Sequence, residues 1–215
     1  MFETTRNEIR DLIIAFIVLS IAFAISTAGL NVNAFISVLP IVMVGVAIGS
    51  LAHELGHKYE AMKYGYHAEF KAWPLGLLIT FISAFIGIVF SLPGSVETYA
   101  ENISDDINGK IAIAGPMTNM VIALISIAIA ELVFPFKSHL IINLIYLICT
   151  IGFSVNSFLA TFNLLPFYTL DGIKVLKWNG KIWIAIFSIA VIMLLISISI
   201  GAENMVKYII EMAVI

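Results

Sequence analysis

Five stretches of this chain, residues 12–28, 34–64, 110–133, 139–162 and 182–200, are apolar for most of their length. About 20 mostly apolar residues suffice for an α-helix to cross the hydrocarbon of a bilayer. Backbone in lipid must satisfy its own hydrogen bonds, so runs of this kind select spanning helices. The composition agrees: 61% of the 215 residues are hydrophobic and only 12% charged, and the mean hydropathy is +1.06. Such a chain cannot cover itself with polar surface, which excludes a soluble enzyme and a disordered protein. A formal charge of −3 offers no basic patch to nucleic acid. The lone Cys149 makes no internal disulfide.

The first run is preceded by Arg6 and Arg10 and closed by small residues, as in a secretory leader. It exceeds the roughly 7–15 apolar residues of a leader and reads as a retained span. The second run would extend roughly 46 Å at about 1.5 Å per residue, so its end, with Lys58, Glu60 and Lys63, projects from the membrane. Gly65 stops it, and residues 66–73 are strand-like. Residues 74–92 are apolar again, Pro93-Gly94 breaks them, and 95–108 are polar and acidic. The tail, 201–215, is expected to lie on the membrane surface as an amphipathic helix. The expected fold is an all-α polytopic membrane protein. It has five to six transmembrane helices and a short membrane-associated β or hairpin segment between the second and third, in a single domain over residues 1–215.

The chemistry concentrates in His53-Glu54-Leu55-Gly56-His57. On a helix, positions i and i+4 share one face, which presents two imidazoles to one metal ion. Catalytic zinc takes three protein ligands and keeps one position for water. The glutamate beside the first histidine is placed to deprotonate that water. Ionisable groups beside an apolar helix are expensive and functional as a rule, which favours a metal site over a chance match. For a third ligand, Asp171 stands between Leu170 and Gly172 and suits a hard oxygen donor; its rival reading is a plain Asp-Gly turn. His67 and His139 read as ordinary polar residues at a membrane face, and Cys149 as buried filler.

His53-Glu54-x-x-His57 is followed by Gly115-Pro116-x-x-Asn119 and then by Asn163-x-x-Pro166-x-x-x-Leu170-Asp171-Gly172. In this order the set resembles the site-2 protease family of intramembrane zinc metalloproteases, and Phe90-Ser91-Leu92-Pro93-Gly94-Ser95-Val96 resembles that family's Pro-Gly segment. The resemblance runs from about residue 49 to 177, within a catalytic core of about 34–177. It implies one Zn2+ per chain held by His53, His57 and Asp171, with Glu54 as general base. It also implies substrate or oxyanion contacts near Asn119 and Asn163, and single-span membrane proteins as substrates. An interhelical hydrogen bond is the rival role for Asn119, and helix capping for Asn163. Nothing matches the PDZ or CBS domains that some members carry.

If His57 and Asp171 bind one ion, the ends of the second and fourth spans share a membrane face. Residues 65–109 then begin and end on that face, and 74–92 are a re-entrant or membrane-embedded hairpin, since they suffice for one crossing and not two. Arg6, Arg10, Lys58, Lys63, Lys71, Lys110, Lys174, Lys177 and Lys181 lie on the metal side, against Lys137 and Lys207 opposite. The positive-inside rule puts the metal face in the cytoplasm, with the plasma membrane as the expected location. Glu60 follows Glu54 by six residues, so the site is expected about 9 Å below the surface. A substrate helix must unwind to be cut, and the stretch 66–73 is expected to pair with it as an added strand. The competing functions are a zinc transporter, disfavoured by the lack of an internal repeat, and another membrane zinc protease sharing only the helix motif. The latter would want a glutamate ligand, but Glu131 and Glu203 fall on the opposite face.

Overall fold

The structure is a computed structural model that describes residues 4–99, 102–167 and 170–200. The expected surface helix at 201–215 lies outside them. Five helical stretches are long and apolar enough to span a membrane: Arg6–Ala28, Val32–Lys63, Asp105–Phe136, Leu140–Asn163 and Gly180–Ser199. The chain is thus an all-α polytopic membrane protein with a small two-stranded sheet.

Helix α1 (Arg6–Ala28) begins well before the apolar run, because Thr5 caps it by accepting the Glu8 N–H. Asn31 caps α2 (Val32–Val46) in the same way through Ala34 N–H. A π-helical turn, Ala47–Leu51, joins α2 to α3 (Ala52–Lys63); such turns gather at functional sites. Helix α3 ends at Gly65, whose φ of 81° suits glycine. The Tyr66 N–H bonds the Ala61 carbonyl and the Gly65 N–H that of Met62, a Schellman closure.

Strand β1 (His67–Ala72) leads to α4 (Pro74–Ala84), whose 11 residues are too few to cross. The chain then turns and returns without regular secondary structure over 88–93 into β2 (Gly94–Tyr99), antiparallel to β1 with Phe70 opposite Val96. Trp73 N–H bonds the Pro93 carbonyl at 3.0 Å, so this segment starts and ends at one place, as parity requires. Two hydroxyls satisfy the returning limb. Thr80 Oγ1 donates to the Phe90 carbonyl and accepts from Leu92 N–H, and Ser83 Oγ accepts from Phe90 N–H. Non-helical backbone tolerates apolar surroundings only when satisfied in this manner. Leu75, Leu78, Ile82 and Ile86 on this segment are exposed, as expected of a lipid-facing surface.

Helix α5 (Asp105–Val133) starts earlier than its apolar run, capped by Ser104, with Asp105 and Asp106 in the first turn where the helix dipole favours them. A 3-10 turn connects it to α6 (Leu140–Asn163), the central helix, which packs on α2, α5 and α8 (Gly180–Ile200). Leu19, Phe23, Val38, Val42, Leu147 and Ile151 form one core between α1, α2 and α6. Met120, Phe153, Leu164 and Met193 form a second between α5, α6 and α8. At the α2–α6 crossing a Cβ on Gly45 would stand an ordinary 3.5 Å from Ile151 Cγ2. The basic stretch after Asp171 begins as a short helix, α7 (Asp171–Trp178). Its Asp171, Gly172 and Val175 are buried, Lys174 is half-buried and Lys177 is exposed.

Candidate metal centre and active site

His53 and His57 lie one turn apart on α3, and both are buried. Their Nε2 atoms stand 3.0 Å apart. Asp171, the first residue of α7, brings Oδ2 to 3.4 Å from His53 Nε2 and 3.0 Å from His57 Nε2. Among the described residues this is the group whose three donor atoms all fall within 4.8 Å and could hold a metal ion.

A tetrahedral zinc with ligands at about 2.0–2.1 Å implies donor separations of about 3.3 Å, close to those observed. The tautomers fit as well. His57 Nδ1 meets the Ile111 carbonyl at 2.8 Å, and His53 Nδ1 meets Asn119 Oδ1 at 2.5 Å. Both partners are acceptors, so each Nδ1 carries the proton and each Nε2 turns a lone pair inward. Two lone pairs and a carboxylate oxygen facing one another repel unless a cation stands between them.

Helix α5 closes the site by backbone approach. A Cβ on Gly115 would overlap His57 Nε2 and lie 2.7 Å from His53 Nε2. Gly56 likewise faces the Ala114 carbonyl, from which its Cβ would stand 3.1 Å. Asp171 is held through α7. Trp178 Nε1 donates to Asp106 at the start of α5, and Trp183 Nε1 to the Leu164 carbonyl. Pro166 lies in the non-helical stretch between α6 and α7; Tyr168 and Thr169 of that loop lie outside the described residues.

Glu54 is buried beside the histidines. Val96 N–H donates to its carboxylate, and its Oε2 is buried without a hydrogen-bond partner among the described residues. A cavity of about 480 Å³ opens here, lined among others by Ser50, Ser91, Glu97, Asn163 and Lys174. Lys174 Nζ lies 3.8 Å from Asp171 Oδ1. On the rim Lys71 pairs with Glu97 at 2.5 Å, and that hydrogen bond raises its ammonium above the usual lysine range.

The structure therefore brings His53, Glu54, His57, Asp171 and Asn119 together. Asn119 is fully buried, and its Nδ2 donates to the Gly49 carbonyl and to Asn156 Oδ1, both at 2.9 Å. It keeps no free donor for a substrate oxyanion in this arrangement. Asn163 lines the cavity while its Nδ2 donates to the Leu159 carbonyl within α6. His67 and His139 are exposed and stand apart from the metal group.

Two features escaped the sequence reading. One is Asn156, an amide within an apolar span, which was itself the available signal. The other is a buried ion pair: Lys58 Nζ meets Glu8 Oε2 at 2.6 Å, each side chain 2% exposed. Glu8 Oε1 also accepts Phe70 N–H, and Asp11 Oδ2 accepts Ala72 N–H. The outer edge of β1 is therefore closed by two carboxylates of α1. Both strands contribute to the cavity wall, β2 with residues 94–98 and β1 with Lys71 and Ala72, and the Val96 N–H of β2 points away from β1.

The chain is 41% identical over 184 residues to a protein of Methanocaldococcus jannaschii named "Putative zinc metalloprotease MJ0611". The alignment covers 85% of this chain and 90% of that relative. No protein-family model matches the chain, and no solved structure matches it significantly.

Proposed function

The chain belongs to the family of this M. jannaschii protein, and from that membership and the site geometry we propose that it is an intramembrane zinc metalloprotease of the site-2 protease type. It cuts peptide bonds within or near transmembrane segments of single-span membrane proteins, from a site that faces the cytoplasm in the plasma membrane. The observation that carries this reading is the convergence of two imidazole Nε2 atoms and one carboxylate oxygen, beside a buried glutamate, in a helix bundle whose outer surface is apolar.

His53, His57 and Asp171 would hold the zinc, and Asp171 would reach it from the other end of the sequence motif set. When bound, zinc supplies Lewis acidity that lowers the pKa of a water and polarises a carbonyl. Glu54 takes the proton from the attacking water and delivers it to the leaving amine. Its unpartnered Oε2 is the atom free to do so. Asn119 and Ile111 fix the two rings by their Nδ1 protons, as outer partners of metal-bound histidines do.

The substrate strand adds to β2 rather than to the 66–73 stretch expected from sequence. The free edge of β1 is consumed by Glu8 and Asp11, whereas residues 94–98 of β2 line the cavity, where a pairing strand would replace Glu54 as the acceptor of Val96 N–H. Backbone pairing there holds an unwound segment extended at the site. Asn163, at the cavity wall, turns its amide oxygen to the substrate backbone.

The test is to reconstitute the purified protein with labelled single-span substrates and map the cut bonds by mass spectrometry. Wild-type protein is expected to cut within or next to the span. Glu54→Gln is expected to keep its zinc and lose turnover by about 10²–10⁴-fold. Cleavage that survives in Glu54→Gln, or zinc transport without cleavage in wild type, refutes the proposal.

A further inference from the structure

We propose that Asn156, in the middle of α6, is a positioning residue that sets the tautomer of His53 through Asn119; this rests on the metalloprotease reading above. The three side chains form one line of hydrogen bonds. His53 Nδ1 meets Asn119 Oδ1, Asn119 Nδ2 donates to Asn156 Oδ1 and the Gly49 carbonyl, and Asn156 Nδ2 donates to the Gly152 carbonyl at 2.8 Å. Both asparagines are 0% exposed.

A carboxamide has two orientations that differ by exchange of its oxygen and nitrogen. Only one is satisfiable here, because peptide carbonyls accept and never donate. The Gly152 carbonyl demands Nδ2 of Asn156, which turns Asn156 Oδ1 toward Asn119. That oxygen and the Gly49 carbonyl together demand Nδ2 of Asn119, which turns Asn119 Oδ1 toward His53. Facing an acceptor, His53 Nδ1 holds the proton and Nε2 is left with the lone pair that a metal requires. His57 reaches the same state by direct contact with the Ile111 carbonyl. His53 meets a side chain instead, and the relay supplies the polarity that a carbonyl would impose.

Removal of Asn156 leaves one proton of Asn119 Nδ2 without an acceptor in a dry interior. The penalty against flipping Asn119 then falls. A flipped amide presents N–H to His53 Nδ1 and moves the ring proton to Nε2, the form that cannot bind metal. Gly49 offers an independent handle, since a Cβ there would stand 2.9 Å from Asn156 Oδ1 and 3.1 Å from its Nδ2.

The experiment compares wild type, Asn156→Leu, Asn156→Thr and Gly49→Ala as full-length protein. Ring nitrogens are read by NMR of metal-free, ¹⁵N-histidine-labelled samples, and zinc affinity by chelator competition. Wild type is expected to show His53 Nδ1 fully protonated, whether or not Nε2 also takes a proton in the absence of metal. Asn156→Leu is expected to mix tautomers and lose about tenfold in affinity, the low end for loss of an outer partner of a metal-bound histidine. In Asn156→Thr the hydroxyl donates four residues back, as Thr150 and Thr161 do on this helix. It keeps an acceptor toward Asn119 and is expected to match wild type. Gly49→Ala, which displaces Asn156 without changing its chemistry, follows the leucine variant. A folded Asn156→Leu or Gly49→Ala protein with His53 Nδ1 fully protonated and wild-type affinity overturns the relay. Failure of wild type to bind zinc overturns the metalloprotease reading instead, and the metal-free tautomer measurement still decides the relay.

Discussion

Replacing Gly115 by alanine places one methyl group against the rings of His53 and His57. Its Cβ would overlap His57 Nε2, lie 2.6 Å from His57 Cε1 and 2.7 Å from His53 Nε2. Heavy atoms in contact prefer about 3.5–4.0 Å, so the shortfall is about 1 Å on both rings. The rings cannot yield, because each is buried and fixed behind by its Nδ1 partner. Helix α5 cannot retreat alone, because Gly56 and the Ala114 carbonyl already bring the two backbones together. Metal sites hold donor distances to within about 0.2 Å, so a 1 Å displacement should abolish the site. The expected result is a zinc affinity at least about 100-fold lower, with an overpacking cost of about 1–3 kcal/mol. Zinc per chain by mass spectrometry and thermal unfolding in detergent measure the two effects. Gly45→Ala is the control: its Cβ would meet Ile151 at an ordinary 3.5 Å, and zinc content should not change. Gly115→Ala protein that retains one zinc per chain at wild-type affinity would refute the reasoning.

Breaking the buried Glu8–Lys58 pair by Glu8→Met or Lys58→Met should cost about 3–5 kcal/mol in each case, and the double variant should recover much of it; additive losses in unfolding experiments would contradict this. Asn163→Ala should reduce cleavage with zinc content and melting temperature nearly unchanged. A stability loss of about 0.5–2 kcal/mol, with activity per folded molecule preserved, would assign it a capping role instead. In a Cys149→Ser background, cysteines at Tyr66 and Ser104 should react with an impermeant reagent only from the cytoplasmic side, and those at Gly29 and Lys137 only from outside. Labelling of position 104 from outside would contradict the shared face of His57 and Asp171.

The spans were legible because lipid imposes a crude requirement, some twenty apolar residues, that local composition meets directly. The helix stop at Gly65 was legible because one residue carries that signal. The early start of α1 was not, since residues 6–11 are mostly polar and become helical where Glu8 and Asp11 find partners on α3 and β1. Strand β2 was also hidden. Gly94–Tyr99 alternates between half-buried and exposed, and only pairing with β1 makes it a strand. Helix α7 was hidden because it is short and its buried face has only Asp171, Gly172 and Val175. At the site, the histidine spacing announced itself locally. The amide network of Asn119 and Asn156 depends on two helices crossing, which no single window of sequence displays.

The wide sequence separation of the donor atoms has a consequence for biosynthesis. His57 precedes Asp171 by 114 residues, 171 minus 57. At a synthesis rate of about 5–20 residues per second, the nascent chain carries both imidazoles for roughly 6–23 s before the carboxylate exists. Throughout that interval the nascent chain lacks the full donor set that the proposed reaction requires.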